Sequence, residues 1–281
     1  MTSKIDGIIS YYNTRESKWG YKLFLGGTKH FGYYPKGKEN ISMHQAMINM
    51  MDKVGKNLNL PKGSKVLDAG CGEGTTALWV ADKYGLNVEG VDLLDFNIKA
   101  ANESLNKANP SSIINFNVGN YMHIDYPDNT FDGIYTLETL VHAPNYNVAL
   151  KEFRRVLKKN GKLVLFEYSM PRQDEMKKKE RRMFNLINEY SAMYSFSSFT
   201  HGAFPKILTS IGFNDIKVQD ITPRMIPMVK RFRQFAIIPY QFIKLFNKEE
   251  KFVNATAAIT LWSYRSDFRY NIVTAVNKKL I

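Results

Sequence analysis

The 281-residue sequence holds one cysteine, Cys71, and five histidines. A single cysteine excludes an internal disulfide and a thiolate-bound metal cluster. No other His or Cys stands at a spacing that would complete a zinc site with His142, so no metal is expected. No apolar run approaches the ~18 residues of a spanning helix, and the opening Met1-Thr2-Ser3-Lys4-Ile5-Asp6 has no signal-peptide apolar core. A reducing, cytoplasmic setting is expected. Acids are in the minority, 26 against 39 Lys and Arg, for a formal charge of +13. That excess would attract nucleic acid, anionic lipid or a phosphorylated substrate, or would simply keep the protein in solution. Internal repeats and low-complexity tracts are missing as well. The remaining text, 44% hydrophobic and 23% charged, is ample for one large α/β domain or a domain with a cap.

The most informative stretch is Val66-Leu67-Asp68-Ala69-Gly70-Cys71-Gly72-Glu73-Gly74-Thr75-Thr76. An apolar run breaks into a glycine turn, and a helical pattern follows through Ala77, Leu78, Val80 and Ala81. Strand, tight turn and helix N-terminus form the layout by which α/β sheets hold adenosine cofactors. Thr75 stands where the third glycine of a dinucleotide fingerprint would fall, and two carboxylates, Asp68 and Glu73, flank the turn. A pyrophosphate would meet like charge there. S-adenosylmethionine, which brings a sulfonium and an ammonium but no phosphate, suits an acidic turn better.

Further carboxyl-end residues extend this reading. Asn87–Asp92 reads as a second strand, and Asp92, 22 positions after Gly70, is placed to accept the ribose hydroxyl protons. Asn120, after a third strand at Ile113–Val118, would read adenine through its amide or else serve its own turn; Leu93 and Leu94 would meet the purine face. Cys71, Tyr121 and Leu137 complete the expected cofactor set with Asp68, Gly70, Gly72, Gly74, Asp92, Leu93 and Asn120. After a fourth strand at Phe131–Thr136, Glu138 and His142 are four apart. On a helix they would share a face and could do acid–base work, or they could close the turn before Pro144 by a hydrogen bond.

Residues 1–60 read as an aromatic cover segment, 61–169 as the cofactor-binding core, 170–205 as a helical cap insertion and 206–281 as the remainder of the sheet. Within the cap, Glu189 is a lone carboxylate near Tyr194 and Phe199, facing either solvent or an apolar substrate. Residues 223–248 interleave Arg224, Lys230, Arg231, Arg233, Lys244 and Lys248 with apolar residues and contain no acid. This pattern reads as a lid over the substrate cavity, compatible with peripheral contact at a membrane surface.

The glycine turn resembles motif I of class I S-adenosylmethionine-dependent methyltransferases. Leu137-Glu138-Thr139-Leu140-Val141-His142-Ala143-Pro144 and Phe166-Glu167-Tyr168-Ser169-Met170 are similar to runs of the sterol C-methyltransferases, the family that alkylates the sterol side chain. Tyr11-Tyr12 with Glu16-x-x-Trp19-Gly20 resembles part of that family's aromatic N-terminal motif. Lys18 departs from that motif, at a position where the family has glycine. The resemblance implies a Rossmann-like seven-stranded, mostly parallel sheet with helices on both faces and the last strand antiparallel. It also implies methyl transfer to carbon of a sterol-like or isoprenoid acceptor, with Glu138 and His142 near the reacting atoms and Trp19, Tyr33, Glu189, Tyr194 and Phe199 as pocket residues. Methylation at oxygen or nitrogen of a small natural product or phospholipid head group is the alternative. A non-enzymatic membrane- or RNA-binding protein is a third reading, and nucleic acid is the weakest partner, because acids and bases mix outside 223–248.

Overall fold

The computed structural model describes residues 2–14 and 28–279. Among these, strands β1 (Lys65–Ala69), β2 (Asn87–Asp92), β3 (Ile114–Val118), β4 (Phe131–Leu137), β5 (Leu157–Ser169), β6 (Asn214–Asp220) and β7 (Arg269–Val276) form one sheet. Its order is β3-β2-β1-β4-β5-β7-β6. β1 to β5 pair in parallel, while β7 is antiparallel to both neighbours. The expected seven-stranded, mostly parallel architecture is what the protein adopts. Strand order runs outward in both directions from β1, so right-handed crossovers put helices on both faces. β1 is accordingly buried from Val66 to Ala69 without alternation.

Helices α1 (Thr2–Asn13), α2 (Met43–Leu58), α3 (Thr75–Tyr84), α4 (Asp95–Ala108) and α5 (Tyr146–Val156) precede β5. α2 starts where the Ser42 hydroxyl accepts the Gln45 N–H, and it buries Ala46, Met50, Val54 and Leu58. α5 starts where the Asn145 side chain accepts the N–H groups of Asn147 and Val148. Lys158–Gly161, polar and ending in glycine as a helix-closing turn would, is drawn into β5. Asn160 takes a left-handed φ of 63°, its N–H donates to the Asn277 carbonyl at 2.8 Å, and the Asn277 N–H donates back to Gly161 at 2.9 Å. A residue beyond β7 thus extends the ladder, a long-range pairing that local turn chemistry does not reveal.

The cap is assembled from separated stretches. α6 (Lys178–Tyr190), α8 (Thr222–Leu245) and α9 (Val253–Ser263) join α1; α7 (Ala203–Ile211) lies between α6 and β6 in sequence. Ile8 and Tyr11 of α1 share a small core with Ile187 and Val253. The cover segment is fixed by its backbone: Tyr33 N–H donates to Ala46 and Tyr34 N–H to Arg224, both at 2.8 Å. No helix among the described residues is long and apolar enough to cross a membrane.

Gly74 joins the glycine turn to α3 with φ 77°, and a Cβ there would lie 2.6 Å from the Phe116 ring and 3.0 Å from Ala101 Cβ. Left-handed strain and overpacking both oppose a side chain. Gly74→Ala should therefore cost about 2–5 kcal/mol, read from denaturant midpoints; a loss under about 1 kcal/mol would show that neighbours yield freely.

Candidate active site

The glycine turn lies at the carboxyl ends of β1, β2 and β4, where order reverses in open α/β sheets. Gly70 and Cys71 donate their N–H groups to Val91 O at 2.8 and 3.0 Å. Gly72 N–H donates to Asp92 Oδ2 at 2.9 Å, while Asp92 Oδ1 accepts from Leu94 N–H at 3.0 Å and the Asn97 amide at 2.9 Å. The turn is thereby strapped to the end of β2. Thr139 braces it from the other side, its hydroxyl donating to Ala69 O at 2.7 Å and its carbonyl accepting the Tyr121 hydroxyl at 2.9 Å. A Cβ on Gly70 would meet Thr139 at 2.7 Å, whereas one on Gly72 (φ 54°) would enter open space. Gly72 is thus the position where the bare backbone faces a cavity of about 120 Å³.

Asp68, Gly70, Cys71, Gly72, Asp92 and Leu93 line this cavity, and so do Asn120, Tyr121 and Leu137. Of the expected cofactor residues, Gly74 lies outside it: it is a packing glycine between α3, Ala101 and Phe116. Asn120 lines the wall, and its Oδ1 accepts Met122 N–H at 2.9 Å within its own turn. Burial raises the Asp68 carboxyl to about 7 against the lowering effect of the Tyr135 hydroxyl, which donates to it at 2.7 Å. Glu73 faces Lys29 Nζ at 3.5 Å, and the same ammonium donates to Asn97 Oδ1 at 2.6 Å. Burial lowers the Lys29 pKa while Glu73 and Asp92 support its charge. Among the described residues, the carboxyls of Asp68, Glu73 and Asp92 and the Lys29 ammonium line one cavity that the bare backbone of Gly72 also faces; these residues fit a cationic sulfonium cofactor.

A second cavity, of about 370 Å³, adjoins the first under α8 and α9. Tyr11, Phe31, Tyr168, Phe184, Phe196 and Phe268 supply most of its aromatic wall. Tyr12, Lys29, His30, Glu138 and His142 border both cavities. Glu138 is not helical, contrary to the shared-face expectation. It ends β4 in a left-handed conformation, φ 61°, and a short 3₁₀ turn at Leu140–His142 follows. Glu138 Oε1 accepts Phe31 N–H at 2.6 Å and the Tyr270 hydroxyl at 2.7 Å, and Oε2 accepts the Tyr168 hydroxyl. Burial raises its pKa to about 7, and those three donors oppose the rise.

His142 Nδ1 donates to Ala192 O at 3.1 Å, which leaves Nε2 to accept the Tyr12 hydroxyl at 3.1 Å. Burial brings its pKa down to about 4, so it is neutral. Behind it, the fully buried Glu167 accepts Leu140 N–H at 2.7 Å, and burial raises its pKa to about 8.

Sequence reasoning missed Lys29, His30, Tyr168 and Tyr270 as site residues. His30 is buried and neutral, its pKa lowered to about 4 by burial; Nδ1 donates to Phe31 O at 3.0 Å, and Nε2 has no hydrogen-bond partner among the described residues. Of these only Tyr168 falls within a run that carries the family resemblance, Phe166-Glu167-Tyr168-Ser169-Met170. Conversely, four expected pocket residues lie off the cavity wall. Tyr33 packs under Lys53, whose Nζ is 4.5 Å from its ring centroid, and Phe199 is buried between Tyr146 and Phe204. Tyr194 rests against α1 beside Gly7, and Glu189 is exposed because α6 turns Phe184 and Ile187 inward instead. Trp19 lies outside the described residues.

A sequence profile for a methyltransferase domain matches residues 67–165. Over 273 residues the chain is 34% identical to an S-adenosyl-L-methionine-dependent Diels-Alderase of Talaromyces variabilis, covering 95% of this chain and 93% of that one. It is 31% identical over 160 residues to a sterol 24-C-methyltransferase of Aspergillus fumigatus, 57% of this chain and 41% of that one. A geranyl diphosphate methyltransferase solved with GPP and sinefungin shares the fold at TM-score 0.74 and 16% identity, over 99% of this chain and 100% of that one.

Two outcomes follow for S-adenosylmethionine binding, both read by calorimetry. Asp92→Ala should weaken it by about 1–3 kcal/mol through lost hydrogen bonds; unchanged affinity would remove Asp92 from the site. A cation pairs with ionised Asp68, so affinity should hold above about pH 8 and fall as pH drops through about 7, by up to about tenfold per unit. Asp68→Asn should flatten that slope, and an equally steep slope in the variant would assign it to another group.

Proposed function

The chain belongs to the class I S-adenosylmethionine-dependent methyltransferases, and from that premise we propose that it methylates carbon on a sterol-like, terpenoid or other isoprenoid lipid. One observation carries the proposal: an aromatic, apolar cavity abuts the cofactor cavity, and the two share the wall that contains Glu138 and His142. Bound S-adenosylmethionine supplies a sulfonium methyl open to in-line attack by an electron-rich atom. This protein's own contribution is positioning and exclusion of water. The rings of Phe31, Tyr168 and Phe196 offer π faces to positive charge developing on an alkene acceptor. Glu138 is the group assigned to take the last proton. With a pKa near neutrality it is ionised in a useful fraction of molecules, and Tyr168 and Tyr270 hold it in place. His142, neutral and bonded to Tyr12, orients the aromatic cover over the junction.

A second reading has specific support. A relative that is 34% identical over nearly the full length is named for a Diels–Alder reaction. On that reading the same cavity would align two π systems in one molecule, with the methyl donor held but not spent.

Incubation with methyl-labelled S-adenosylmethionine and isoprenoid acceptors, followed by mass spectrometry, separates these outcomes. Label on carbon supports the proposal, label on oxygen or nitrogen transfers it to heteroatom methylation, and an unlabelled isomer of unchanged mass selects cycloaddition. Glu138→Gln should slow methyl transfer by about 10²-fold or more with cofactor affinity little changed. Full activity in that variant would rule out an essential charge at Glu138.

A further inference from the structure

α8 carries more apolar surface than the cavity beneath it uses. Phe232, Ala236 and Pro239 line the acceptor cavity, and Ile243 is buried on the same side of the helix. A separate stripe, at i, i+4 and i+7, faces outward: Ile238 is 70% exposed, Phe242 61% and Leu245 71%, and Phe246 continues it at 64%. Phe252, in the connection to α9, adds another exposed ring. Such a contiguous patch of large side chains is unusual on a surface that faces only water. Its borders are cationic. Lys230, Lys244, Lys248 and Lys251 are exposed around it, and residues 223–248 contain no acid; Glu249 and Glu250 follow at the tip. A water-facing helix does not need this combination of outward apolar stripe and basic flank, whereas a helix lying in the interfacial plane of an anionic bilayer does.

We propose that the outward stripe of α8, Ile238, Phe242, Leu245 and Phe246, docks the protein on an anionic lipid surface and brings the α8–α9 wall of the apolar cavity against the lipid phase. The apolar side chains enter the acyl boundary while the lysines meet lipid phosphates. Pro239, with no N–H to give, sits where the inward and outward faces of α8 adjoin. The use of this wall to admit an acceptor rests on reading the cavity as the acceptor site; docking itself does not.

The test is co-sedimentation of the full-length protein with phosphatidylcholine vesicles and with vesicles that also contain phosphatidylglycerol. Binding should be at least about tenfold tighter to the anionic vesicles and should weaken with salt. The triple variant I238S/F242S/L245S should lose about tenfold or more, and K244E/K248E should lose the preference for phosphatidylglycerol. Farnesol binding in vesicle-free solution, followed by calorimetry, serves as the fold and cavity control and should be unchanged in both variants. Wild-type protein that ignores both vesicles overturns the proposal, as does a triple variant that binds like wild type. A wild-type dimer that the triple variant splits into monomers also overturns it, because the stripe then belongs to a second copy of the protein. Vesicle binding without farnesol binding keeps the docking face and defeats the acceptor reading; farnesol binding without vesicle binding does the reverse.

Discussion

One buried carboxyl group holds the two halves of this site together. Glu138 accepts from the cover segment through Phe31 N–H, from β5 through Tyr168 and from β7 through Tyr270. Taking a carboxyl out of water is costly, and an isolated one would abandon its charge or its position. Here three donors from three distant parts of the sequence offset that cost, so the cover, the sheet and the antiparallel last strand converge on one side chain. Its left-handed backbone turns the polypeptide away from β4 just where the cavities meet. The same atoms that close the fold therefore form part of the wall that the two cavities share.

The cofactor end depends on a division of labour among glycines and on a charge balance. Gly74 is small for packing, Gly70 for the approach of Thr139, and Gly72 for the approach of a ligand. Lys29 enters this acidic pocket and meets Glu73 and Asn97, so among the described residues the pocket sets Asp68, Glu73 and Asp92 beside an ammonium. A cation that carries its own carboxylate, as S-adenosylmethionine does, finds partners of both signs there. A pyrophosphate would meet mostly repulsion.

How much of this is readable from the sequence follows from the range of the interactions. β1, β2, β4 and the glycine turn are legible because doubly covered parallel strands give short continuous apolar runs, and tight turns demand particular residues. Asp92 is legible because its distance from the turn is set by one βαβ unit. The pocket wall is not, since Tyr270 reaches Glu138 across 132 positions and the cap draws on α1, α6, α8 and α9. Tyr33, Tyr194 and Phe199 are aromatic for packing, and composition alone does not separate such rings from those facing a cavity. The helical reading of Glu138 and His142 fails because a left-handed residue interrupts the spacing, and only the folded backbone reveals that.

On the proposed function, the two cavities meeting at Glu138 are a donor site and an apolar acceptor site. A crystal of the protein grown with S-adenosylhomocysteine and farnesol tests it most directly. The ribose is expected at Asp92, the thioether beside the wall of Glu138 and His142, and the isoprenoid tail among Phe31, Tyr168 and Phe196. Density for a phosphate-bearing nucleotide in preference to S-adenosylhomocysteine, or an isoprenoid bound anywhere but under α8 and α9, would contradict it.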